Sequence, residues 1–249
     1  MTELKPARLP WGPFPDVVIL AEIGAVKEHR CYPAAKAGDA DAAKSLVADN
    51  LTAEGVARIR ALTGGRRPTL LSVHAVEGSG VNAIPEALAD MLARRLELPV
   101  EHSVVQTNVV GHTGATGFAR LARQPAFDGD VVPGDDYLLV DDFIGQGGTL
   151  ANLRGFVEAH GGRVVGAVVL TGKPHSARLA LRSDTLEALR GKHGTELEAW
   201  WDARFGHAFD GLTESEARYL HRTPTAHAIR DRIAAEEQAG DRRADPRDP

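Results

Sequence analysis

Tyr137-Leu-Leu-Val-Asp-Asp-Phe-Ile-Gly-Gln-Gly-Gly-Thr-Leu150 is the stretch whose reading decides the fold. Tyr137 to Val140 is a short apolar strand that ends on two adjacent carboxylates, Asp141 and Asp142. A loop with Gly145, Gln146, Gly147 and Gly148 follows. Thr149 opens an amphipathic helix that carries Leu150, Leu153 and Val157 at helical spacing. The first amides of a helix have no intrahelical acceptor, and the aligned peptide dipoles add partial positive charge, so an anion is stabilised there. The amides of Gln146 to Leu150 and the Thr149 hydroxyl would clasp a monophosphate, while Gly147 and Gly148 let the backbone come close. Asp141 and Asp142, fixed at the strand end, are acceptors suited to sugar hydroxyls.

The regular alternation around this unit begins at Thr69. Thr69 to Val76 reads as a strand, Glu77 to Asn82 as a loop, and Ala83 to Leu96 as a helix with Ile84, Leu88, Met91, Leu92 and Leu96 on one face. Val100 to Val110 reads as mostly extended, and Val164 to Thr171 as a buried strand after the Gly161-Gly162 stop. Strands alternating with helices imply an α/β fold with a parallel sheet, ligands gathering at the carboxyl ends of the strands. No internal repeat is found.

The loop Gly78-Ser-Gly-Val-Asn-Ala83 fits Gly-x-Gly-x-x-Ala between strand and helix, and Glu101 lies near the distance at which a dinucleotide fold places its ribose acid. Alone it would suit NAD. That reading leaves Asp141, Asp142 and their loop without a role.

The strand, acid pair and glycine-rich loop resemble the signature of the type I phosphoribosyltransferases. The resemblance implies a parallel sheet flanked by helices, with N- and C-terminal hood and helical additions. It implies a pentosyltransferase acting on phosphoribosyl pyrophosphate (PRPP) with Mg2+ and a nitrogenous base. Carried over, Asp141 and Asp142 hold the ribose, and Gly145, Gln146, Gly147, Gly148, Thr149 and Leu150 hold the 5′-phosphate. Gln146 stands where a Thr or Ser is usual. The first βα loop, Glu77, Gly78, Ser79, Gly80 and Asn82, would then receive the pyrophosphate, although it contains no Arg or Lys. The segment Val110 to Arg123 matches the mobile loop of that family, and its His112, Arg120 and Arg123 are candidates to supply the missing positive charge. Lys173, in Thr171-Gly-Lys-Pro-His, stands where one branch of the family contacts a purine carbonyl. Two other readings stay open: a nucleotide- or PRPP-sensing regulator of the same fold, and an enzyme acting in reverse on a nucleotide or nucleic-acid end.

The flanks carry no catalytic pattern. Residues 1–68 read as a proline-bearing surface arm, a strand at Val17 to Ala21, and helices capped by Asp39 or Asp41 and by Thr52, which together would form a hood. Residues 69–173 form the core of the motif. Residues 174–240 turn helical, with Thr195/Glu198 and Thr213/Glu216 as capping boxes and Ala226, Ile229 and Ile233 striping a last helix. Trp200, Trp201, Phe205, Phe209 and Tyr219 would pack this part or stack on a base. Residues 241–249 read as a disordered tail.

Composition narrows the classes further. The chain has 249 residues, 43% of them hydrophobic, and a net charge of −5 with both signs interspersed, which indicates neither nucleic acid nor a membrane surface as partner. The single cysteine, Cys31, excludes an intrachain disulfide and a Cys-rich zinc site. No apolar run is long enough to span a bilayer and no signal pattern opens the chain, so a cytoplasmic protein is expected. Small-molecule partners follow from the resemblance, and a homodimer is compatible with it. The ten histidines form no His-Glu-x-x-His pair, and neither a nucleophile elbow nor a Walker loop occurs.

Overall fold

The computed structural model describes residues 8–73, 76, 77, 80–108 and 115–244, with only the backbone described at 76, 77, 80 and 240–244. The described strands are β1 (Val18–Ala21), β2 (Thr69–Ser72), β3 (Val76–Glu77), β4 (Gly80–Val81), β5 (Val100–Glu101), β6 (Val105–Gln106), β7 (Phe127–Asp128), β8 (Asp136–Ile144) and β9 (Arg163–Gly172). The described helices are α1 (Ile23–Lys27), α2 (Tyr32–Lys36), α3 (Ala40–Asn50), α4 (Ala53–Thr63), α5 (Ile84–Leu96), α6 (Gly117–Ala122), α7 (Gly148–Ala159), α8 (Ser183–Phe205), α9 (Glu214–Arg222) and α10 (Ala226–Ala244).

Five strands make one parallel sheet in the order β1-β9-β8-β2-β5, and β3–β4 and β6–β7 are separate antiparallel ribbons. The chain is an α/β protein with a helix-flanked parallel sheet. Successive side chains of a strand point to opposite faces, and the two cores follow that parity. Leu70, Leu138, Val140, Val168 and Leu170 pack with α3, α4 and α5 on one face. Leu71, Tyr137, Leu139, Ala167 and Val169 pack on the other face with Leu150, Leu153 and Val157 of α7. From β2 the chain moves outward to β5, then returns to the other side of β2 as β8. This reversal opens a crevice at the carboxyl ends of β2 and β8, where open α/β sheets bind ligands.

Several boundaries differ from the sequence reading. β2 stops at Ser72 rather than Val76, although the Val73 amide still donates to the Val140 carbonyl at 3.0 Å. β8 runs on to Ile144, so both acids sit within a strand still paired to β9, with Asp141 opposite Val169. The strand at Val17 to Ala21 forms as β1 and joins the main sheet beside β9, so the sheet draws on residues before the Thr69 boundary. Asp39 and Thr52 cap α3 and α4, and the Thr213/Glu216 capping box is formed. At Thr195, by contrast, the helix breaks at Gly194 (φ 76°, ψ 169°), and the Glu198 carboxylate accepts from Arg190 and from the Phe209 amide. Helix α10 continues through Ala244, four residues into the segment expected to be a disordered tail.

The arm expected on the surface is partly buried. Arg8 forms a bidentate ion pair with Glu216 of α9 at 2.6 and 3.0 Å, and its Nε donates to Asn152 of α7. The Trp11 indole donates to the Leu212 carbonyl at 2.6 Å, while the Arg154 guanidinium lies 4.5 Å above the Trp11 ring. Trp201, Phe205, Phe209 and Leu220 form a third core with Phe118 and Leu121 of α6 and with Ile229 and Ile233 of α10.

Candidate active site

Beyond the carboxyl end of β8 lies a cavity of about 200 Å³. Asp141, Asp142 and Gly145 to Leu150 line it, and Asn82 enters from the start of α5. The strand parity that buries Leu138 and Val140 against α3 and α5 carries Asp142 toward the same face, whereas Asp141 follows Tyr137 and Leu139. Asp142 Oδ2 accepts from Lys36 Nζ of α2 at 3.2 Å. Asp141 Oδ1 accepts from the Asp142 amide at 2.8 Å. Burial, and next the adjacent Asp142 charge, push the Asp141 carboxyl well above the usual carboxylate range; the Asp142 amide and Lys36 oppose this.

The glycine loop is held from behind. Gly147 has φ 83°, the left-handed region that favours glycine, and a Cβ there would drive into Leu179. Gly148 begins α7, and a Cβ on it would lie 2.6 Å from Glu216 Oε1. The Thr213 hydroxyl donates to the Gln146 carbonyl at 2.6 Å. No side chain caps α7, so its first amides keep their capacity for an anion. The Gln146 Oε1 is buried with no hydrogen-bond partner among the described residues. Turning the carboxamide would present Nε2, a donor.

Residues 85–186 match the family model for the phosphoribosyl transferase domain. This segment of the chain is similar to a phosphoribosyl transferase domain. The matched span contains Asp141, Asp142 and the whole glycine loop, and it leaves out the first βα loop and the helices before it. Over 228 residues the chain is 43% identical to Protein TraN of Escherichia coli, covering 92% of this chain and 51% of that one. Over 157 residues it is 40% identical to an uncharacterized protein of Haemophilus influenzae, covering 62% and 35%. The chain thus spans about half the length of the first of these curated relatives and about a third of the second. Among solved structures, adenine phosphoribosyltransferase of Thermoanaerobacter pseudethanolicus is similar with a TM-score of 0.33 and 19% identity, covering 55% of this chain and 72% of that one. The Leishmania donovani enzyme of that name has a TM-score of 0.33 and 18% identity, covering 53% and 58%.

The remaining sequence candidates scatter. Arg120 of α6 lines the cavity beside Gly145, and burial lowers the pKa of its guanidinium. Arg123 lies 3.7 Å from Glu236 and is not among the lining residues. Lys173 is exposed after β9 and does not line the cavity either. Glu77 and Gly80 are placed as backbone of the β3–β4 ribbon, and Gly78, Ser79 and His112 lie outside the described residues. Sequence reasoning missed Arg8, Lys27, Tyr32, Lys36, Gln106 and Glu216, all of which line the cavity. Lys27 and Lys36 sit in an alanine-rich polar stretch with no motif. Their shared position on the last turns of α1 and α2 is visible only once those short helices are placed.

Proposed function

We propose that this protein binds a ribose 5-phosphate moiety and transfers it between pyrophosphate and a nitrogenous base, in the cytoplasm. The observation that carries the reading is that the acid pair at the end of β8 and the uncapped N-terminus of α7 open onto one cavity. The α7 amides, Thr149 and the glycine loop take the 5′-phosphate, so that binding energy from a non-reacting group positions the sugar. Asp141 and Asp142 orient the ribose hydroxyls and stabilise positive charge developing at C1. In transfer, the C1–O bond to the diphosphate breaks with its electron pair on oxygen. A base nitrogen lone pair then forms the C1–N bond and that nitrogen releases its proton.

The residues fit a magnesium ion that arrives with the diphosphate. Asp141 and Asp142 are hard oxygen donors, and no cluster of three or more His, Cys, Asp or Glu suited to a metal occurs among the described residues, so substrate oxygens and water would complete its coordination. Such an ion supplies neutralisation of the diphosphate charge. No described helix is long and apolar enough to cross a membrane.

Calorimetry of PRPP with magnesium tests the proposal, using the wild-type protein and the Asp141→Asn, Asp142→Asn double variant. Magnesium-dependent binding lost in the variant is expected. Binding of a nucleoside monophosphate but not PRPP would favour the regulator, a reading supported by the absence of Arg and Lys from Glu77–Asn82.

A further inference from the structure

The glycine loop has an acid at its back. Glu216 of α9 lines the same cavity as Gly145 to Leu150, and its side chain is 3% exposed. A Cβ added to Gly148, the first residue of α7, would stand 2.6 Å from Glu216 Oε1 and 3.1 Å from a terminal nitrogen of Arg8. A carboxylate is thus packed against the positive end of α7, where an anionic ligand would be held. Left uncompensated, it would repel that ligand at close range, with little water to screen the two charges.

The carboxylate is occupied on both oxygens. Oε2 accepts from Arg8 at 2.6 Å and from the Thr213 amide at 2.9 Å, and Oε1 accepts from Arg8 at 3.0 Å. No side chain caps α7, so Glu216 does not take the first α7 amides. Arg8 is fixed by three further acceptors: Asn152 Oδ1, the Gly211 carbonyl at 3.4 Å and the Gly148 carbonyl at 3.5 Å. These contacts hold the guanidinium against the acid and the start of α7 together. The arm behind it is anchored in turn, with Arg154 donating to the Leu9 and Pro10 carbonyls at 3.3 Å each.

We infer that Arg8 is a positioning residue for the ligand's phosphate: it neutralises Glu216 and so keeps the start of α7 open to an anion. This rests on the sugar-phosphate reading above. Arg8 acts through Glu216 and does not need to touch the ligand. An apolar side chain at position 8 leaves a buried carboxylate that repels the phosphate and competes with it for the first α7 amides. Gln at position 216 instead leaves the Arg8 charge uncompensated beside the cradle, which attracts the phosphate. The two changes therefore move affinity in opposite directions and cancel when combined. A packing role alone would make the second change add to the damage of the first. Both residues lie outside the 85–186 span that matches the family model, so this control of the cradle belongs to the flanks of the chain.

The test is calorimetry of ribose 5-phosphate on the wild-type protein, Arg8→Met, Arg8→Lys, Glu216→Gln and the Arg8→Met, Glu216→Gln double variant, each held below its melting temperature. Arg8→Met should weaken binding by about tenfold or more, the scale of one unscreened charge near the phosphate. Glu216→Gln should tighten it, by about threefold, and the double variant should return to within about threefold of wild type. Arg8→Lys, which keeps the charge, should recover most of the loss. If Arg8→Met does not fold, the double variant decides, since it carries no unpaired carboxylate. A double variant that bound as weakly as Arg8→Met, or far more weakly than wild type, would overturn the inference. So would a loss in Glu216→Gln, a loss in Arg8→Lys as large as in Arg8→Met, or unchanged binding in Arg8→Met. A wild-type protein that did not bind ribose 5-phosphate would overturn the underlying reading as well.

Discussion

Asp141 occupies the least hospitable position for a charge in the cavity, buried beside a second carboxylate. Its pKa in the folded protein is raised above the value near 3.8 expected for an exposed aspartate. The sign of the linkage follows: in acid both states hold the proton and no cost exists. As pH rises from about 4 through the folded pKa, the unfolded chain gives up its proton first, so stability falls. Asn has the same shape without the charge. Asp141→Asn should therefore melt close to wild type in acid and increasingly above it toward neutral pH, while losing affinity for the sugar phosphate. Thermal melts of both proteins across that range check this, and a gap that stayed flat or narrowed would exclude a raised Asp141 pKa. A functional site that costs stability is common where charges are held for a ligand. At this scale the acid pair and the glycine loop were legible because they stand side by side in one strand–loop–helix unit. Lys36 was not, since its partner is 106 residues away, and no local pattern marks a lysine that becomes important through tertiary contact.

The glycine loop depends on elements far from it in sequence. Glu216 accepts from the Thr213 amide and from Arg8, while Thr213 both caps α9 and holds the Gln146 carbonyl. The N-terminal arm and α9 thereby clamp the start of α7. The Arg8 and Glu216 side chains are 1% and 3% exposed, so removing one leaves the other buried without its partner. Arg8→Met should cost about 3–5 kcal/mol in urea unfolding. The Arg8→Met, Glu216→Gln double variant should cost less than the sum of the single variants, because the second change removes the uncompensated charge. Strictly additive costs would show that the two side chains do not act as a pair. The capping box at Thr213 was legible from its local spacing. The proline-rich arm lies mostly at the surface as read, but composition does not reveal that Arg8 is buried and finds Glu216 208 residues later. The same spacing misled at Thr195, where Gly194 breaks the helix but Arg190 and the Phe209 amide use the Glu198 carboxylate.

Across the whole molecule, the alternation of apolar strands with helices made the parallel sheet legible, while the order of its strands was not. β1 lies beside β9, tied there by the Thr171 hydroxyl on the Ala21 carbonyl, across 150 residues of chain. The cavity likewise takes residues from Arg8 to Glu216, so the sheet, the N-terminal helices and the C-terminal helical core stand or fall together at the site. That coupling gives the third core a part in the acid response of the protein. His207 is 5% exposed, and its Nε2 has no hydrogen-bond partner among the described residues. Burial first, and then the Arg8 charge, lower its pKa from 6.5 to about 3. The unfolded chain takes up a proton below pH 6.5 that the folded one refuses, so this group's contribution is intact above that value. It is lost as pH falls from there toward about 3, at up to about 1.4 kcal/mol per pH unit. His207→Gln removes the titration. Urea unfolding of the two proteins from about pH 7 to about pH 4 should show wild type losing stability faster with acid, the carboxylates common to both cancelling in the comparison. A difference between them that did not change with pH would mean that His207 takes up its proton equally well folded and unfolded.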